Sequence, residues 1–211
     1  MFEPKQSRSM RTREALLSAF EELLKQKQFD DIGVADIARE AGVSTASIYR
    51  RFGKRDGLLT ALFELYTKRM EQWFTAHVPI PPKPDPGSLS LREFLRENIR
   101  LLLLLIGDLQ HLAKPIAVFG RTRPDLIPTD ASEQLKERVQ SMVEILKVYQ
   151  SEVAHADTQL AAHMTIYFLQ TMPYDYLLFR DQMVFPGCEI TLEMFEEQLT
   201  DFVYRYLVHA E

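Results

Sequence analysis

The chain has 211 residues, 46% of them hydrophobic and 26% charged. That is enough apolar content for one or two buried cores and too little charge for a disordered chain. A single cysteine, Cys188, excludes an intrachain disulfide and a cysteine-based metal site, and the formal net charge of −5 excludes a uniformly basic protein.

The charge is nevertheless uneven: residues 1–60 hold 11 Lys+Arg against 9 Asp+Glu, and the remainder holds 14 against 21. At the N-terminus, Met1 to Lys5 is followed at once by Arg8, Arg11 and Arg13. This pattern lacks the apolar run of a signal peptide, so a cytoplasmic protein is expected. From Thr12 to Lys27, the residues Ala15, Leu16, Ala19, Phe20, Leu23 and Leu24 recur at three- and four-residue spacing and predict a one-faced helix. Val34, Ile37, Ala38 and Ala41 predict a short second helix, stopped at Gly42 because glycine takes the left-handed conformation at no steric cost. Ser44 is an N-cap for a third helix that buries Ile48 and Phe52. A fourth helix starts near Arg55 and carries Leu58, Leu59, Leu62, Phe63, Leu65 and Tyr66 towards Trp73.

Five of the 11 prolines fall between Pro79 and Pro86, where fixed backbone angles and missing N–H groups predict an extended loop. Helical periodicity then returns at about 89–107, 109–121, 130–154, 157–180 and 189–208. The apolar run Leu101–Ile106 is far short of the roughly 20 residues that span a bilayer, and no membrane association is expected. No strand-like alternation persists, and the fold class is all-α. Residues 160–179 are apolar on nearly every side, and Pro173 among them is expected to kink that helix. The last helix is one-sided, with Phe195, Leu199, Phe202, Val203 and Tyr206 opposed by Glu193, Glu196 and Glu197. Two such helices from each of two chains would form a four-helix homodimer interface.

Residues 34–52 carry the most specific signal: two short helices joined by a glycine turn, the pattern of a helix-turn-helix whose second helix enters the DNA major groove. With Val43, Ile48 and Phe52 turned to the core, Thr45, Ala46, Tyr49 and Arg50 share the opposite face. Thr45 and Ser47 can bond base edges or phosphates, Ala46 permits close approach, Tyr49 can donate to a phosphate, and Arg50 can grip guanine or phosphate. Lys54 is placed to neutralise backbone charge, and Lys5, Arg8, Arg11 and Arg13 are expected to form a flexible arm along the DNA.

Residues 12–60 closely resemble the DNA-binding domain of the tetracycline-repressor (TetR) family. The shared pattern is the first-helix Ala15-Leu16-Leu17, then Phe29, Val34-Ala35-Asp36-Ile37-Ala38, Ala41-Gly42-Val43-Ser44, Ile48-Tyr49, Phe52 and Lys54. The resemblance implies DNA contacts for Ser44, Thr45, Tyr49 and Lys54, with Ser47, Arg50 and Arg51 beside them. The chain departs from the family at Gly33, usually a phosphate-contacting threonine, at Ala46, often glycine, and at Arg51, often histidine or tyrosine. The resemblance further implies a helix-turn-helix domain at 1–55 and an all-α effector-binding and dimerisation domain at 56–211. A dimer of this kind binds a palindromic operator in double-stranded DNA, most often as a repressor, and is released by a small-molecule effector.

Trp73, Phe119, Tyr149, Phe168 and Met172 are the candidate effector contacts, being large apolar or aromatic side chains around the Pro173 helix. The His/Asp/Glu spacing suggests no metal site, and no cofactor is expected. A nucleophile elbow, a phosphate-cradling glycine loop and a zinc-protease helix are all missing from the sequence, which argues against an enzyme. The alternative reading is a ligand-sensing or protein-interaction dimer that does not bind DNA.

Overall fold

The computed structural model describes residues 5–53, 55–78, 84–128, 131–180 and 189–209; Lys54 and Cys188 lie outside them. The described residues form nine α-helices: α1 (Lys5–Gln26), α2 (Val34–Glu40), α3 (Thr45–Phe52), α4 (Arg55–His77), α5 (Leu91–Asp108), α6 (Gln110–Thr122), α7 (Ala131–Val148), α8 (Thr158–Phe179) and α9 (Leu192–Val208). Single 3-10 turns lie at Phe29–Asp31 and Pro124–Leu126. Among the described residues no single helix is long and apolar enough to cross a membrane.

Two compact units result. The first runs to Gln72 and also takes in Leu109–Pro128; the second comprises Trp73–Asp108 and the chain from Thr129 onward.

In the first unit α1 packs on α2 and α6, and α2 packs on α3. Leu16, Phe20, Ile37, Ile48 and Leu62 are essentially removed from solvent, each burial contributing roughly 1.5–3 kcal/mol. The 3-10 turn plants Phe29 edge-on against both Phe20 and Phe119, so α1, the turn and α6 share one aromatic cluster.

Helix α1 begins seven residues before the periodicity suggested. The residues expected to form a flexible arm are therefore helical from Lys5 onward. No glycine or proline interrupts Lys5–Gln26, and Arg13 is tied to Glu64 of α4 by an ion pair. This corrects the expectation of a flexible arm for the backbone of Arg8, Arg11 and Arg13.

The second unit is built on α5, α7, α8 and α9, with α5 against α8 and α9, and α7 against α8. Its core contains Leu91, Leu95, Ile99, Leu146, Tyr149, Ala161, Ala162, Val203 and Leu207. A full capping box starts α5: the Ser90 N–H and hydroxyl donate to Glu93, and the Glu93 N–H donates back to the Ser90 hydroxyl. Asp157 caps α8 by accepting from the Leu160 N–H at 2.9 Å, and Thr191 caps α9 by accepting from the Met194 N–H at 3.2 Å. Arg92 of α5 donates to Asp201 of α9 through Nε and Nη2. Helix α7 ends at Val148, short of the predicted 154, in a turn where the Glu152 and Val153 N–H groups both donate to the Tyr149 carbonyl. Pro173 lies buried inside α8, which continues through it to Phe179.

Candidate nucleic-acid interface

The junction between α2 and α3 is fixed by backbone hydrogen bonds that the glycine makes possible. Gly42 has φ 65°; its N–H donates to the Arg39 carbonyl at 3.2 Å, and the Val43 N–H donates to Ala38 at 2.9 Å. These are the paired bonds of a Schellman motif, which satisfies the last carbonyls of α2 while the chain reverses. At the other end of α2, the Gly33 N–H donates to the Asp36 carboxylate at 3.1 Å, which supplies the half of a capping box that needs no side chain at Gly33. This hydrogen bond, with Lys27 and Arg39 near by, holds the Asp36 carboxyl below its usual range despite some desolvation.

Ser44 occupies the N-cap position of α3, but its hydroxyl makes no cap bond to the backbone. It pairs instead with the Ser47 hydroxyl at 3.0 Å. Ile48 is 1% exposed and anchors α3; Val43 and Phe52 are half-buried at its flanks. The opposite face carries Thr45, Ala46, Tyr49 and Arg50, all exposed. Tyr49 is 55% exposed, a high value for an aromatic ring with no covering element.

Arg51 behaves differently from Arg50. It is half-buried, its Nη1 donates to the Ser9 hydroxyl of α1 at 3.1 Å, and its Nε is buried without a hydrogen-bond partner. Ser9, Thr12, Val43, Ser44, Ser47, Arg50 and Arg51 line one open cleft of about 780 Å³. Two guanidinium groups and four hydroxyls thus converge where α1 meets α3, a donor-rich surface suited to phosphate oxygens. Both arginines sit in the last turn of α3, where the helix dipole favours positive charge.

Sequence reasoning missed the roles of four residues in the first unit. Gly57, in the first turn of α4, lies so close to α3 that a Cβ there would overlap the Phe52 carbonyl. Glu21 of α1 is 6% exposed and accepts from the Arg69 guanidinium of α4 through both oxygens, with Nε 2.9 Å from each. His111 Nε2 of α6 lies 3.5 Å from the same carboxylate without forming a proper hydrogen bond. Burial alone would push the Glu21 pKa up, but the facing His111 and Arg69 groups outweigh it and bring the carboxyl to about 2. Periodicity does mark Glu21 as an acid on the apolar side of α1. Its partner 48 residues away leaves no local signal.

The five effector candidates are divided between the two units. Phe119 belongs to the first unit, edge-on to Phe29 at 4.7 Å. In the second, Trp73 is buried, donates to Asp108 at 2.7 Å and stacks on His77. Tyr149 is fully buried and donates to the Leu89 carbonyl. Phe168 packs on Phe202 and Tyr206, and Met172 is exposed.

A short all-α module that turns at Gly42 and presents an exposed polar face on α3 defines a helix-turn-helix protein. Residues 16–62 match the family model "Bacterial regulatory proteins, tetR family". The uncharacterized HTH-type transcriptional regulator YxbF of Bacillus subtilis is 28% identical over 177 residues, 82% of this chain and 40% of that protein. The chain spans half or less of the length of the curated relatives it matches. A TetR-family regulator structure from Mesorhizobium loti superposes with a TM-score of 0.61 at 17% identity, covering 94% of this chain and 96% of that one. The multidrug binding protein EbrR, solved with imidazole, gives 0.56 at 19% identity over 94% and 90%. The family match thus covers the helix-turn-helix segment, and the solved structures share the fold at low sequence identity.

Proposed function

We propose that the chain is a DNA-binding transcriptional regulator, and specifically a repressor, that docks α3 in the major groove of a palindromic operator as a homodimer. The carrying observation is the exposed Thr45-Ala46-Tyr49-Arg50 face of α3, held rigidly by the Schellman turn on one side and the Gly57 contact on the other. Thr45 and Ala46 face base edges, Tyr49 and Arg50 reach phosphates or guanine, and the Ser44–Ser47 hydroxyl pair borders them. Arg51 acts from the α1 side of the cleft, held by Ser9, and Lys54 follows the recognition helix in sequence. In this reading residues 1–55 are the DNA-reading domain and 56–211 bind an effector and dimerise.

The dimer is assigned to α8 and α9. Leu160 and Tyr167, seven residues apart on one face of α8, are 53% and 60% exposed, and Phe202 of α9 is 45% exposed. An apolar surface of this kind on neighbouring helices is what a two-fold four-helix interface buries. A small-molecule effector would bind in the second unit, where Trp73, Tyr149 and Phe168 lie. The shared fold with EbrR supports this only as a fold that accommodates such a site.

Selection of the purified chain on random duplex DNA, with sequencing of the bound pool, tests the proposal. Enrichment of one palindrome that disappears in an Arg50→Ala/Tyr49→Phe variant is the expected result. A folded dimer that enriches nothing at low salt would leave a ligand-sensing dimer without DNA binding.

A further inference from the structure

Arg50 and Arg51 are consecutive, yet the structure treats them differently. A turn of about 100° per residue leaves Arg50 on the exposed face of α3 and brings the half-buried Arg51 round to α1. There its Nη1 donates to the Ser9 hydroxyl at 3.1 Å, a contact between residues 42 apart in the chain. Arg39, Arg69, Arg92 and Arg123 each pair with a carboxylate. Arg51 pairs instead with a neutral oxygen, and among the described residues its buried Nε has no partner. The guanidinium is therefore held in place with its charge intact.

The neutrality of the partner matters. A carboxylate in place of the Ser9 hydroxyl would hold Arg51 as firmly, but it would cancel the charge and repel a phosphate. A hydroxyl accepts one bond and leaves the rest of the guanidinium fork, five N–H groups in all, to an anion. Being held also matters, because an arginine side chain already ordered in the free protein loses less freedom when it binds. Ser9, Ser47, Arg50 and Arg51 line the same open cleft. Arg51 points away from Thr45 and Ala46 on a helix of 3.6 residues per turn, so what it meets is the DNA backbone and not a base edge.

We infer that Ser9 is a positioning residue for DNA binding: its hydroxyl presets the Arg51 guanidinium to grip a backbone phosphate at the cleft between α1 and α3. The inference rests on the DNA-binding function proposed above and adds that the strength of this contact is set from α1. Ser9 acts through Arg51, so its effect should vanish once Arg51 is removed. A phosphate contact carries no sequence preference, so the effect should appear on duplex DNA of any sequence.

Fluorescence anisotropy of the full chain on a fluorescein-labelled duplex of random sequence, titrated over a range of salt concentrations, tests it. Arg51→Ala should bind at least about tenfold more weakly, with the slope of log K against log salt shallower by about 0.9 per protomer. Ser9→Ala should bind about two- to tenfold more weakly at an unchanged melting temperature. Ser9→Thr, which keeps the hydroxyl, should bind as the wild type does. In the Arg51→Ala background, Ser9→Ala should cost nothing further. Wild-type binding by Ser9→Ala, an equal loss from Ser9→Ala with and without Arg51, or a Ser9→Thr variant as weak as Ser9→Ala would overturn this assignment and leave DNA binding standing. A folded wild-type chain with no salt-dependent binding would overturn both.

Discussion

Replacing Glu21 by glutamine should destabilise the protein at neutral pH and make it less sensitive to acid. The Glu21 carboxyl is 6% exposed, sits in the fork of Arg69 and has its pKa lowered from 4.5 to about 2. A shift of that size corresponds to about 3 kcal/mol of folding free energy, at 1.36 kcal/mol per unit. Because the folded-state value lies below the unfolded one, the stabilisation is complete above about pH 5. It is lost progressively as the pH falls through 4.5 towards 2.

Glu21→Gln keeps the shape of the side chain and removes its charge, so at pH 7 urea denaturation should show a loss of about 2–3 kcal/mol relative to the wild type. At pH 3 the same comparison should show a much smaller gap, because the wild-type carboxylate has by then surrendered most of its advantage. Arg69→Met should lose a comparable amount at pH 7, since it strands a buried carboxylate beside His111 alone. The double variant Glu21→Gln/Arg69→Met should cost less than the two single losses combined, the signature of a direct interaction. A Glu21→Gln variant within about 0.5 kcal/mol of the wild type at pH 7 would refute this account, as would one whose deficit is the same at pH 3 and pH 7.

Gly57→Ala should cost more than 2 kcal/mol in urea denaturation and weaken DNA binding together with it, because the new methyl group meets the Phe52 backbone rather than a side chain that can rotate away. A substitution within about 0.5 kcal/mol of neutral would show that α3 and α4 can separate freely. Gly33→Thr should fold without loss, since a Cβ there meets the Asp36 carboxylate at 3.4 Å and the Ala35 nitrogen at 3.9 Å, both ordinary van der Waals contacts. It should also raise DNA affinity in a fluorescence anisotropy titration by supplying a hydroxyl at the start of α2. Arg50→Ala should weaken DNA binding by about 1–3 kcal/mol. If the contact is to phosphate, the slope of log K against log salt should become shallower by about 0.9. Phe202→Glu, placing a charge on the exposed face of α9, should shift the protein from dimer to monomer in light scattering.

The sequence was most legible where the determining interactions are local. Gly42 and its neighbours specify the turn within six residues, and the Schellman bonds follow from them. Ser90 and Glu93 likewise announce the start of α5. The exposure of Thr45, Ala46, Tyr49 and Arg50 followed from placing Ile48 inside and turning 100° per residue.

The parts that were not legible depend on partners distant in the chain. The basic residues near the N-terminus suggested a solvated arm, but charge composition does not reveal that Arg13 has Glu64 to pair with or that Ser9 receives Arg51. Ser44 has the residue type of an N-cap, yet the neighbouring Ser47 hydroxyl offers a competing partner only once the turn is built. The aromatic residues grouped as effector contacts share a chemistry, but helical spacing does not say which unit each one enters. Phe119 joins Phe20 and Phe29 in the first unit's aromatic cluster, while Phe168 packs with Phe202 and Tyr206 in the second.

The same division explains why α6 had to be seen in space before its role could be argued. In sequence it is one apolar-periodic segment among several, with Pro115 inside it. In the fold it packs on α1 and supplies His111 opposite Glu21. Helix α1 is thus held by a segment whose sequence lies some 90 residues away. Arg69 and His111 approach one carboxylate from two different helices, so moving either helix changes how well a buried charge is compensated. A buried acid facing a guanidinium and an imidazole resists small displacements more strongly than apolar contact does, because its cost rises steeply when a partner withdraws. That makes Glu21 the place where a shift of α4 or α6 is converted most directly into strain on α1, and through Ser9 and Arg51 into the setting of α3.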